Sequence, residues 1–239
     1  MTSLQDRVAI ITGASSGIGE AMARELSEAG MRLVVAARRK ERLDKLIAEL
    51  PNAVAVVGDV LDPELPQKLI DTACSAFGRC DVVCNNAGFM TAGSIDDIDI
   101  ELVCEMVRVN VESAFRLAFT AVRYFKQAGS GHLVNTSSVL GVKVRPSAGA
   151  YAGTKHAIEA LSEDLRIELA GTGVKVTCIE PGMVMTELHN KFPVHPKDSM
   201  GIDKVLEPAD IARCVRFVLE QPAHVSIPRL MVLPADQHI

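Results

Sequence analysis

Two hydrophobic rhythms alternate along this chain. Short continuous runs of Val, Ile, Leu and Ala are separated by stretches in which apolar residues return every three or four positions. Runs of the first kind, with no polar alternation, read as strands covered on both faces, and the second as helices with one buried side. The predicted strands are Val8–Thr12, Arg32–Ala36, Ala53–Val57, Asp81–Asn85, His132–Ser137, Lys175–Glu180 and Val225–Leu233. Between them fall helices at Gly17–Ala29, Lys40–Leu50, Glu64–Phe77, a long stretch Ile100–Ala128, then Ala150–Ala170 and Pro208–Glu220. Pro208 suits a first helical turn. Pro228 interrupts the last strand, which predicts an edge position or a bend. Such alternation implies a doubly wound, mostly parallel sheet of about seven strands with helices on both faces.

Composition narrows the classes. The 239 residues are enough for one α/β core, and no linker, repeat or low-complexity tract divides 1–239. The net charge of −5 is spread along the chain, which argues against a nucleic-acid partner. No apolar run reaches ten residues, too short for a membrane span, and the opening MTSLQDR does not read as a signal peptide. The six cysteines form no CxxC pair. Reduced thiols in a cytoplasmic protein fit best.

The junction of the first strand and helix reads VAIITGASSGIG, with Gly13, Gly17 and Gly19 around Ser15, Ser16 and Ile18. Glycines there allow a tight turn, close backbone approach to a phosphate and close packing of helix on sheet, with the helix N-terminus facing the phosphate. No lysine follows Gly19, so a triphosphate-binding loop is excluded. A glycine-rich turn without a ligand is the plainer alternative.

The spacing TGxxxGxG resembles the short-chain dehydrogenase/reductase family. Further segments carry the resemblance in order: Asp59-Val60, Asn85-Asn86-Ala87-Gly88, Asn110, Ser138, Tyr151-Ala152-Gly153-Thr154-Lys155, Pro181-Gly182 and Thr186. The resemblance spans essentially the whole chain. It implies a Rossmann fold, a nicotinamide cofactor and a small carbonyl or alcohol substrate. It also implies a homodimer or homotetramer built on the helices starting near Ile100 and Ala150.

Tyr151 and Lys155 are four residues apart, on one helix face. Tyrosine titrates near 10, and a neighbouring ammonium is expected to lower that value so that the phenol exchanges a proton with substrate. Ser138, thirteen residues earlier, is the expected partner of the substrate oxygen, with adjacent Ser137 as its rival. The resemblance gives Lys155 a second role on the nicotinamide ribose. It has Asn110 bend its helix and hold a water; a packing amide is the alternative. It places Asn86, Ala87 and Gly88 along the adenine-side ribose and Asp59 and Val60 beside the adenine. Pro181, Gly182, Val184 and Thr186 fall at the nicotinamide, followed by a substrate lid over 187–205.

The choice of nicotinamide depends on the end of the second strand. An NAD-binding fold needs an acid there for the ribose 2′-hydroxyl. The position holds Ala37, followed by Arg38 and Arg39. Guanidinium groups suit a 2′-phosphate, so NADP (NADPH) is expected, with Arg38 as the main contact and Arg39 flanking the adenine. A solvated arginine pair is the alternative, and with it an NAD-preferring enzyme.

The segment EPADIARCVRFVLEQPAHVSIPRLMVLPADQ resembles the clavulanate dehydrogenase and 3-hydroxy acid dehydrogenase branch, which implies small hydroxyacids, aldehydes or ketones as substrates. Val103 stands where that branch has tryptophan. Candidate pocket residues are Phe89, Met90, Val139, Arg145, Met183, His189 and Phe192. Arg145 fits either a substrate acid group or an exposed loop. A non-catalytic NADP-binding sensor or scaffold, and an epimerase or dehydratase, are the other readings. No metal site is expected.

Overall fold

A computed structural model describes residues 2–190, 197 and 200–238. Seven parallel strands form one sheet in the order β3-β2-β1-β4-β5-β6-β7. They are β1 Val8–Thr12, β2 Arg32–Ala37, β3 Ala53–Val57, β4 Val82–Asn85, β5 Gly131–Thr136, β6 Val174–Pro181 and β7 Arg229–Val232. The helices are α1 Gly17–Glu28, α2 Lys40–Glu49, α3 Leu65–Phe77, α4 Ile100–Val107, α5 Ala114–Ala128, α6 Gly149–Glu168 and α7 Pro208–Leu219. This is the expected Rossmann fold, with every strand parallel.

Alternate strand residues feed two apolar layers. Ala9, Ile11, Leu33 and Val35 pack with Met22, Leu26, Leu43 and Val215 from α1, α2 and α7. Val8, Ile10, Val34 and Ala36 pack on the other face with Leu69, Leu117, Phe125 and Leu165 from α3, α5 and α6. Both faces are therefore dry, and unbroken Val/Ile strands are the result. Strand order reverses between β1 and β4, which opens a crevice at their carboxyl ends.

Many boundaries shift by a residue or two, and three differences have a visible cause. The last strand is Arg229–Val232, not Val225–Leu233, and it lies at the sheet edge. Pro228 has no N–H for a ladder; its carbonyl accepts from Cys178 N at 2.9 Å, and the β6 pairing begins at Arg229. Asp81 falls just outside β4, and its carboxylate accepts from Val8 N at 2.8 Å and Arg79 Nε at 2.9 Å. The long helical stretch is not uniform, because residues Arg108–Ser113 form a π-helical turn between α4 and α5. Among the described residues no helix is long and apolar enough to cross a membrane.

Candidate active site

The β1–α1 loop is shaped by its glycines. Gly13 and Gly17 have φ of +68° and +57°, the left-handed region that side chains disfavour. A Cβ on Gly19 would fall 2.7 Å from Asn86 Nδ2 and closer still to the Gly13 carbonyl, so α1 can begin this near the sheet only with glycine. Ser16 occupies the N-cap of α1, yet its side chain makes no capping bond. Its hydroxyl instead accepts from Arg39 Nη2 at 2.6 Å, while Ser15 Oγ accepts from Arg39 Nε at 3.0 Å. The first helical N–H groups remain open for an anion.

Thr12 and Asn86 lock β1 to the end of β4. Thr12 Oγ1 accepts from the N–H groups of Asn86 and Ala87, and Asn86 Nδ2 donates to the Thr12 carbonyl at 3.0 Å. Thr136 Oγ1 donates to Asn86 Oδ1, extending the network to β5. These bonds hold β4, β1 and β5 in register beside the crevice.

From α6, Tyr151 and Lys155 enter the same crevice, both buried. Lys155 Nζ donates to the Thr136 carbonyl at 2.8 Å and lies 5.7 Å from the centre of the Tyr151 ring. Ser138, rather than Ser137, acts on the Tyr151 phenol and lowers its pKa, and its Oγ accepts from Leu140 N at 3.1 Å. Ser137 Oγ faces Gly141 and has no hydrogen-bond partner among the described residues. The expected lowering of the phenol pKa by the lysine is not what dominates here. Burial pushes Tyr151 up to about 12, against Ser138, which pulls it down. Burial also pushes Lys155 down to about 8, outweighing the attraction of Cys178 and Glu159. Tyr151 is thus a neutral phenol at pH 7.

Asn110 sits in the π-helical turn, a local departure from the α-helical ladder. Its side chain is satisfied away from the crevice: Oδ1 accepts from Phe89 N at 3.0 Å, and Nδ2 donates to Phe89 O and Thr154 Oγ1. A Cβ on Gly88 would lie 3.0 Å from Asn110 Oδ1 and 4.0 Å from Lys155 Nζ, so the Asn86-Ala87-Gly88 turn rests directly on both.

These elements border one cleft of about 630 Å³. Of the described residues expected at a cofactor or substrate, all but Gly19 and Asn110 line it. Gly19 shapes the loop from behind, and Phe192 lies outside the described residues, as does part of the 187–205 segment. The ends of that segment are clasped, since Met185 N donates to Leu206 O and Leu206 N to Met183 O. Arg145 is half-buried and donates to Met200 Sδ at 2.8 Å.

At the arginine corner, three guanidinium groups take different partners. Arg38 is largely exposed, 3.8 Å from Asp59. Arg39 holds the loop serines and also pairs with Glu187 at 2.7 Å. Arg42, from α2, pairs with the same carboxylate at 2.6 Å. Sequence reasoning passes over Arg42 and Glu187, although Arg42 is one helical turn beyond Arg39. It also passes over Gln237, whose Oε1 accepts from Met183 N at 2.8 Å and packs against Gly182.

A glycine-rich anion loop and a Ser–Tyr–Lys group sharing one cleft define a nicotinamide-dependent oxidoreductase of the Rossmann class. The chain belongs to the short chain dehydrogenase family, whose sequence profile matches residues 7–196. It is 41% identical over 236 residues to an uncharacterized oxidoreductase of Staphylococcus aureus (strain USA300), covering 98% of this chain and all of that one. An alcohol dehydrogenase from the archaeon Thermococcus sibiricus, complexed with 5-hydroxy-NADP, superposes with a TM-score of 0.86 at 32% identity, covering 98% of each chain. A 3-ketoacyl-(acyl-carrier-protein) reductase from Brucella melitensis, complexed with NADH, gives 0.88 at 28% identity, covering 96% of this chain and 98% of that one. A nicotinamide dinucleotide also fits the residues present: the loop offers open N–H groups, the turn excludes side chains at Gly13 and Gly19, and cationic groups border the far end.

Proposed function

We propose that this chain is an NADP(H)-dependent carbonyl reductase or alcohol dehydrogenase acting on small hydroxyacids, aldehydes or ketones. The observation that carries this reading is the opening of Ser138, Tyr151 and Lys155 into the cleft that also holds the glycine loop, Arg38 and Arg39. When bound, the nicotinamide supplies or accepts the hydride. The chain's own residues position the reactants and handle the proton. Ser138 orients the substrate oxygen. Tyr151 donates a proton to it in the reducing direction or accepts one in the other. Lys155, fixed by Thr136, stabilises the phenolate left behind and holds the nicotinamide ribose. Asn110 acts through its π-helical turn, which widens the helix ladder beside Lys155 and leaves room for a water.

At the cofactor, Gly13, Ser15, Ser16, Gly17, Ile18 and Gly19 surround the pyrophosphate, and Asn86, Ala87 and Gly88 the adenine-side ribose. Asp59 and Val60 flank the adenine; Pro181, Gly182, Val184 and Thr186 meet the nicotinamide. Val139, Arg145, Met183 and His189 form the substrate wall. The absence of an acid at Ala37, with Arg38 and Arg39 following, supports NADP. Ile100, Val107 and Phe119 on α4 and α5 and Ile167 on α6 are exposed apolar residues, which supports a homodimer or homotetramer through these helices. A cytoplasmic setting fits the six free cysteines.

The test is turnover of a panel of hydroxyacids, aldehydes, diketones and steroids with NADP(H) and NAD(H) separately. Turnover of small carbonyls or alcohols, faster with NADP(H), is the expected result. No turnover across the panel with either nicotinamide would favour a sensor or scaffold, and faster turnover with NAD(H) would overturn the cofactor assignment.

A further inference from the structure

Glu187 opens a short helical turn directly after Thr186, far along the chain from the arginines it meets. Both of its carboxylate oxygens are engaged: Oε2 accepts from Arg39 Nη1 at 2.7 Å and Oε1 from Arg42 Nη1 at 2.6 Å. Two other donors of Arg39 go to Ser15 Oγ and Ser16 Oγ on the glycine loop. Two guanidinium groups and two hydroxyls thus gather at one corner of the cleft, and the anion they hold there belongs to the chain itself. Guanidinium forks and hydroxyls are also the partners that a phosphate takes.

We propose that Glu187 is an internal competitor for the 2′-phosphate pocket, which the cofactor's phosphate must displace before Arg39 and Arg42 can bind it. This rests on the NADP reading above and adds to it a residue that sets its strength. Arg42 becomes a further phosphate contact beside Arg38 and Arg39, and Glu187 a determinant of NADP-over-NAD selectivity. The carboxylate is about half exposed, at 44% of its side-chain surface, and such pairs are weak. A phosphomonoester carries close to two charges and three acceptor oxygens, so it wins the exchange. The exchange still has a cost, and the chain binds NADP(H) less tightly than its arginines alone would allow. NAD(H), which has a hydroxyl at that place, leaves the ion pairs intact and bears no such cost.

The experiment is direct calorimetric titration of wild type and Glu187→Gln with 2′-AMP, 5′-AMP, NADPH and NADH. Glutamine keeps the size and removes the charge at a partly exposed site. The expected result is roughly three- to tenfold tighter binding of 2′-AMP and NADPH, with 5′-AMP and NADH changed less than about twofold. Glu41→Gln, which removes one charge near the start of α2 without an ion pair to Arg39, serves as control and should leave 2′-AMP within about twofold. Unchanged or weaker 2′-AMP binding in Glu187→Gln, or an equal gain in Glu41→Gln, overturns the proposal. A wild type that prefers NADPH but gains nothing from the substitution overturns it alone. If wild type and variant both hold NADPH no tighter than NADH, the NADP reading falls and this proposal with it.

Discussion

Lys155 donates a hydrogen bond to the carbonyl oxygen of Thr136 at 2.8 Å, tying the helix that carries Tyr151 to the carboxyl end of β5. That bond fixes the ammonium 5.7 Å from the centre of the Tyr151 ring without consuming all of its donors. The same two residues are buried, so each disfavours its own charge. A neutral phenol next to a lysine poised near 8 is suited to giving up a proton when a substrate oxygen needs one.

Tyr151→Phe removes the phenol hydroxyl and little else. Turnover should fall by about a hundred- to ten-thousandfold, the usual range for a lost general acid, while NADPH binding by titration stays within about twofold. A fully active variant would remove Tyr151 from the mechanism.

Lys155→Met should show a pH-dependent stability difference. The folded lysine titrates near 8 and the unfolded one near its ordinary 10.5. Between these values the unfolded chain binds the extra proton, so wild-type stability rises with pH; below about 8 the folded state bears the full cost of a buried charge. Methionine carries no such charge. The variant's stability relative to wild type should therefore drop by roughly 3 kcal/mol between about pH 7 and pH 10.5. Urea denaturation at both pH values measures it, and a pH-independent difference would contradict the burial argument.

Arg38→Asp places an acid beside the ribose-reading position. NADPH affinity should weaken by roughly ten- to a hundredfold, the worth of a lost charge-assisted hydrogen bond, with NADH little changed. Equal effects on both nicotinamides would make Arg38 an ordinary surface cation.

Gly19→Ala puts a methyl group against the Gly13 carbonyl and 2.7 Å from Asn86 Nδ2. The loop and the β4 end must then separate, with an expected loss of about 1–3 kcal/mol in thermal or urea denaturation and of NADPH binding. An unaffected Tm with intact binding would show that the junction is looser than its geometry.

Where the pattern is local, the sequence is sufficient. Strand and helix identities follow from periodicity and survive nearly unchanged, because residues covered on both sheet faces must be apolar whichever partner covers them. The glycine loop and the Tyr151–Lys155 spacing are equally legible, since a turn needing positive φ and a helix face four residues apart are encoded within a few positions. Val225, Ser226 and Ile227 read as strand because small and β-branched residues before a proline look extended, while only the ladder to β6 tells where pairing starts.

What tertiary structure alone decides are the relations between distant segments. Glu187 meets Arg39 across 148 positions, and Gln237 reaches Met183 across 54, with no periodic trace in either stretch. The direction of the Tyr151 shift is of the same kind: spacing places a lysine beside the phenol and suggests a lower pKa, but burial by the surrounding elements outweighs it. Sequence determines which residues can neighbour each other along a strand or helix. Closure of the sheet sets which charges are stripped of water and which side chains meet, and those determine the chemistry of the cleft.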